Sequence, residues 1–284
     1  MVPGVWLKSD VIRFAVSACL FVALRGAVNA HGDVHEAIGR VNAQIAEHPD
    51  DAHLFLNRGG LFRSDEDWPA ALADFEKARA LNPELAPLAR VARAEVLLLS
   101  GKHGQAKVEL DTLISESPRT MYAYVVRARC LVAENEPAKA AEDFRRALAE
   151  LPGPEPSLVL ECVHAEADAG MNEAAVGTLD AAIARLGPAI TLVEPAIALE
   201  EKLGRFDAAI ARLDAFMAPL PRKERWLARK AALLEKSGRI EDARASLEQA
   251  IASIDSLPEA RRRMVTIAAL KDRISEQLNQ LKQK

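Results

Sequence analysis

The chain has 284 residues, half of them apolar and only 5% aromatic. Its 37 basic and 41 acidic side chains are interspersed and sum to −4, leaving no basic stripe for a phosphate backbone; this weighs against nucleic-acid binding. Ala, Leu, Glu and Arg make up the bulk, a composition of helix formers with few of the residues that sheets favour.

The first thirty residues differ in kind from the rest. Lys8 and Arg13 precede an apolar run from Phe14 to Leu24, and small residues at Val28 and Ala30 come before His31. That order is the pattern of a secretory signal cleaved after Ala30, and the run is too short for a spanning helix, which needs about 20 apolar residues. The expectation is an exported protein, periplasmic or extracellular, with no membrane insertion once the signal is gone. An uncleaved N-terminal anchor is the alternative. Removing residues 1–30 leaves 34 bases and 40 acids, with Cys130 and Cys162 as the remaining cysteines. Two are too few for a disulfide framework; they read as buried small apolar residues, with a bridge between neighbouring first helices as the alternative in an oxidising compartment.

From residue 31 a period takes over. Pro49, Pro83, Pro118, Pro152, Gly187 and Pro221 punctuate the chain at steps of 34 or 35 residues. Residues 31–50 form a front cap and a His-rich start, with Ala37, Val41 and Ile45 on one face. Residues 51–153 hold three regular repeats, and residues 154–257 hold three more divergent ones. Residues 258–284 read as one long capping helix with the stripe Met264, Ile267, Leu270, Ile274, Leu278 and Leu281. That stripe leaves open a monomer, or a dimer through the C-terminal helix.

Within each period the same sub-pattern returns. Gly59, Phe62, Ala71, Phe75 and Ala78 precede Pro83; Ala94, Leu97, Gly101, Ala106 and Leu110 precede Pro118; Tyr124, Ala128, Leu131, Ala140, Phe144 and Ala147 precede Pro152. Small residues at these spacings let two helices approach, and large ones fill the seam. This pattern resembles the tetratricopeptide repeat family over about residues 34 to 257. The resemblance implies an all-α fold, a right-handed superhelical solenoid of antiparallel helix pairs with about six repeats plus capping helices. The fourth and fifth repeats depart from it. Glu166 and Glu200 occupy slots where the family has a large apolar residue, and Pro195 falls inside an expected helix.

The resemblance also implies a function: first helices line a concave groove that holds a peptide or helix of a partner protein. By register that groove carries His53, Leu56, Arg63, Leu88, Val91, Glu95, Leu98, Tyr122, Val125 and Arg129. Three arginines recur in register with an acid sixteen residues later: Arg58 with Asp74, Arg93 with Glu109, and Arg127 with Asp143. They read as structural ion pairs within a hairpin rather than as a catalytic set. The joint from Leu151 to Pro156 is rich in proline and glycine, a stiff turn or a hinge. No phosphate loop, HExxH, cysteine knuckle or nucleophile elbow is present, so the expectation is a non-catalytic scaffold without cofactors. A copper-related accessory role is the alternative, with His31 as a new N-terminus beside His35 as ligands.

Overall fold

The computed structural model describes residues 33–283; the signal segment and His31 lie outside them. The chain divides into two compact units, residues 1–135 and 136–284. In the first, α1 (33–47) leads into α2 (Ala52–Ser64), α3 (Trp68–Leu81), a 3-10 turn at Pro83–Leu85, α4 (Ala86–Leu99), α5 (His103–Glu116) and α6 (Met121–Ala133). The second holds α7 (Pro137–Glu150), α8 (Pro156–Asp168), α9 (Asn172–Leu186), α10 (Ile190–Lys202), α11 (Phe206–Met217), α12 (Glu224–Lys236), α13 (Ile240–Asp255), α14 (Glu259–Arg262) and α15 (Val265–Lys282). Every regular element among the described residues is helical.

The turns inside the hairpins explain why the chain reverses where it does. Glu66, Gly101, Asn135, Gly170, Gly204 and Gly238 recur at the repeat period, and all have positive φ. After Gly101, Gly170, Gly204 and Gly238 the next amide reaches back to the preceding helix, as Lys102 N does to the Leu97 carbonyl at 2.8 Å and Arg205 N to Glu200 at 2.8 Å. This left-handed cap satisfies carbonyls that a helix end otherwise leaves open. Glycine adopts it freely; Glu66 and Asn135 do so against a Cβ.

Close approach within a hairpin is clearest at Gly59. A methyl group there would lie 2.6 Å from the Phe75 ring, so α2 and α3 meet where only hydrogen fits. Ala94 and Ala128, one and two repeats on, are fully buried. The core of the first unit runs through Ala94, Leu97, Leu110, Leu113, Val126 and Cys130, with Phe75 and Val96 in a second cluster. In the second unit one cluster runs from Val193 through Leu213, Leu233 and Leu247 to Ile274 and Leu281. Pro195 does not interrupt α10, which runs unbroken from Ile190 to Lys202. It removes one donor, the bond to the carbonyl four residues back, and the packing on both sides holds the rest.

The C-terminal segment corrects the sequence reading of one long helix. α14 ends at Arg262, the chain is extended at Met264, and α15 starts at Val265. The break leaves Met264 and Val265 exposed, while Ile267, Ile274, Leu278 and Leu281 are buried in the second unit's own core. Four of the six members of the stripe are thus consumed by the core of their own unit. Arg244 fixes the end of α15 by donating to the Leu281 carbonyl at 2.6 and 3.2 Å.

Candidate functional site

The first helices of the front unit were the expected binding surface, and the structure sorts their side chains into three groups. Leu88, Leu99, Tyr122 and Val132 are large, apolar and exposed, with Tyr122 62% and Leu88 56% accessible. His53 is exposed as well, and Leu56 and Leu98 are half-buried. Val91 and Val125, by contrast, are buried, at 6% and 2%. They correct the sequence reading: both face the core, because α4 and α6 are covered on more than one side and a helix between neighbours has a narrower free face than its polarity suggests. The charges interspersed on this face are occupied. Arg63 of α2 pairs with Glu95 of α4 across adjacent first helices, and Arg129 is half-buried with a polar or ring contact of its own.

The arginine–acid pairs are geometric facts in the first two repeats. Arg58 grips Asp74 with two bonds of 2.7 Å, and Arg93 pairs with Glu109. Asp74 is buried, so the fork-to-fork geometry answers the desolvation of its carboxylate. In the third repeat Arg127 pairs at 2.7 Å with Asp111, sixteen residues before it. Sequence reasoning counted forward only. The backward step of sixteen also joins Arg58 to Asn42, Lys230 to Asp214 and Lys271 to Asp255, so a first-helix base reaches either flanking second helix.

The two glutamates in apolar slots have opposite fates. Glu200, on α10, is buried and receives Arg212 of α11 in a bidentate pair, Nε to Oε2 at 3.1 Å and Nη2 to Oε1 at 2.6 Å. Asp180 of α9 adds a third bond to the same guanidinium at 2.6 Å. Together these partners push the Arg212 guanidinium above its ordinary value. Glu166, on α8, is 0% exposed, and neither of its carboxylate oxygens has a hydrogen-bond partner. The nearest charge is Arg145 of α7, whose Nε lies 3.6 Å from Oε1 while also reaching the Ala141 carbonyl at 3.4 Å. Burial drives the Glu166 carboxyl above its ordinary range; Thr178 and Arg145 oppose that shift without completing a bond. A cavity of about 380 Å³ opens beside it, between α7, α8 and α9, walled by Leu148, Pro154, Val159 and Ala174 together with the Arg145 and Arg185 side chains.

Below that cavity the joint after α7 is tied down. Pro154 is buried, and Arg185 of α9 donates to the carbonyls of Leu148 and Leu151 at 2.9 and 2.8 Å. Of the remaining candidates, Cys130 and Cys162 are free and buried, and burial pushes their thiols up to about 11 and about 12. Such thiols stay protonated and unreactive. His35 is exposed, with Nδ1 3.6 Å from Asp65. Among the described residues no group of three His, Cys, Asp or Glu side chains gathers as metal ligands, and His31 lies outside that range.

Comparison with known proteins places these hairpins. Residues 30–86 and 91–153 match the tetratricopeptide repeat model. Over 94 residues the chain is 30% identical to tetratricopeptide repeat protein 28 of Mus musculus and to its Homo sapiens counterpart. That stretch is 33% of this chain and 4% of either relative, so the chain spans a small part of their length. Among solved structures, the C-terminal part of a TPR repeat-containing protein from Cytophaga hutchinsonii superposes with a TM-score of 0.58 at 12% identity. The match covers 86% of this chain and 99% of that one, a likeness of fold: an all-α helical repeat solenoid.

Proposed function

We propose that this chain, a tetratricopeptide repeat protein, is a non-catalytic scaffold of the cell envelope that holds a peptide or helix of a partner on the first helices of its front unit. Proteins of this fold are generally protein-interaction scaffolds, and that much is common to the family. The observation that supports the finer reading is the set of large apolar side chains left in solvent at Leu88, Leu99, Tyr122 and Val132. Exposed apolar side chains on helical faces, with paired charges around them, suit a hydrophobic segment of another polypeptide. The signal-like residues 1–30 support an envelope location.

The test uses side chains whose replacement spares the fold. A Leu88→Glu, Tyr122→Glu double variant alters only exposed positions, whereas Val125→Glu would put a charge in the core. Crosslinking in envelope fractions of a host expressing the full chain should yield one stoichiometric partner with the wild type and lose it with the double variant. Equal yield from both would overturn the assignment of this face. N-terminal sequencing of the recovered protein should begin at His31; a chain that keeps its first thirty residues would overturn cleavage.

A further inference from the structure

The far end of the second unit differs from the rest in charge. α12 and the capping helix α15 enclose a cavity of about 620 Å³ between their first turns, with Arg222, Arg225 and Arg273 around a floor of Ile267, Leu270 and Ile274. The carboxylate in that lining, Glu224, is buried and lies 3.4 Å from Arg222 Nε. Arg225 is stacked at 4.2 Å on the Trp226 ring, and Arg273 donates its Nε to the Ala269 carbonyl of its own helix at 3.3 Å. Neither has a carboxylate partner among the described residues, whereas Arg212 and Arg229 of the same unit each hold one. Both helices also begin here without a side-chain cap, which leaves their first backbone N–H groups and positive dipole ends at the same rim. Immediately before Thr266, which lines the cavity, the break between α14 and α15 puts Met264 and Val265 in solvent, 54% and 84% exposed. From Arg261 to Arg273 the sequence carries five bases and one acid, Asp272, in a chain whose net charge is −4.

We propose that this edge docks on an anionic lipid bilayer, with lipid phosphates received by Arg222, Arg225 and Arg273 while Met264 and Val265 enter the acyl boundary beside them. The charge is of the complementary sign and is available: guanidinium groups without carboxylates, at two helix N-termini, form a ready site for phosphate oxygens. Stacking on Trp226 holds the Arg225 guanidinium in place before any phosphate arrives. The apolar pair decides between a bilayer and an acidic peptide. A peptide lying in the cavity would leave Met264 and Val265 in water, because they stand outside its lining, whereas a bilayer surface meets the arginines and the apolar pair together. Lasting attachment to a membrane takes two such signals, basic charge and an apolar insertion, and this edge carries both. The surface belongs to the second unit and does not rest on the partner-binding face of the first.

The experiment is co-sedimentation with vesicles of phosphatidylglycerol mixed with phosphatidylcholine, and with vesicles of phosphatidylcholine alone. Every arm uses the full chain, so that residues 1–30 contribute equally to each. The wild type should bind the mixed vesicles about tenfold or more tightly than the neutral ones, and added salt should erase the difference. An Arg225→Gln, Arg273→Gln double variant should lose that preference. Val265→Asp should weaken binding to the mixed vesicles several-fold. All three positions are exposed, so the melting temperature should stay close to that of the wild type, which separates lost docking from lost folding. Equal binding of the wild type to both kinds of vesicle, or undiminished binding by either variant, would overturn the proposal. So would a blocked peptide of alternating glutamate and leucine that binds through Arg225 and Arg273 when the vesicles do not; that result assigns the cavity to an acidic polypeptide.

Discussion

The fourth and fifth repeats differ most at a single pair of positions. Both bury a glutamate where the repeat pattern expects a large apolar residue, and in the fifth Arg212 meets it with two bonds while in the fourth Thr178 does not. A buried ion pair adds little over a well-packed apolar pair, but one half of it alone is costly. The fifth repeat therefore shows the arrangement as a closed structural element, and the fourth shows it open. The comparison teaches that the residue twelve positions on, in the partner helix, decides how a buried glutamate is answered.

The strongest way to break the comparison is to make the fifth repeat resemble the fourth. Arg212→Thr leaves Glu200 buried without its fork and removes the bond to Asp180 as well. It should cost about 3–5 kcal/mol, read as a lower midpoint in urea unfolding. A loss below about 1 kcal/mol would mean that water reaches Glu200 and that the two repeats are not counterparts.

A smaller effect sharpens the comparison from the other side. The Glu166 carboxyl is raised above its ordinary 4.5 by burial, with Arg145 of α7 and Thr178 of α9 opposing and Cys162 on the same helix uncharged below about 12. A carboxyl raised in the folded state favours folding fully below its unfolded value, and that contribution is lost as pH rises through the folded value. Glu166→Gln should therefore stabilise the protein by about 1–3 kcal/mol at pH 7.5, and the gain should shrink towards pH 4. Unfolding midpoints at the two pH values check it; a gain that is the same at both would show that Glu166 does not titrate in this way.

The smallest effect concerns a turn that the two repeats make with glycine and the first repeat makes with Glu66. Gly170 and Gly204 take positive φ without strain, whereas Glu66 holds φ at 61° with a side chain. Glu66→Gly should gain about 1 kcal/mol or less, visible as a rise of a few degrees at most in the melting temperature. Destabilisation instead would show that the Glu66 side chain contributes more than the turn costs it.

Much of this was legible in the residues. The steps of 34 and 35 locate the hairpins, Gly59 opposite Phe75 follows from the small-and-large pattern, and the two glutamates stand out as breaches of it. Their difference was not legible in the first helices alone, because the deciding residue lies twelve positions on, in the partner helix, where arginine and threonine both pass as surface residues. Val91 and Val125 were misplaced for a related reason: the register says which positions share a face, and only the neighbouring helix decides whether that face is covered. The break at Met264 is weakly signalled, since Arg263, Met264 and Val265 carry no glycine or proline. The repeated left-handed turn was readable from Gly101, Gly170, Gly204 and Gly238 standing at one phase of the period, with Glu66 and Asn135 hiding the first and third members.

The division between Asn135 and Glu136 falls inside the third hairpin, not between two repeats. α8 packs against α7, and Arg185 holds the carbonyls at the end of α7 and just beyond it. A deletion series made at the prolines would strip the rear half of its first helix and bare Val159 and the wall around Glu166.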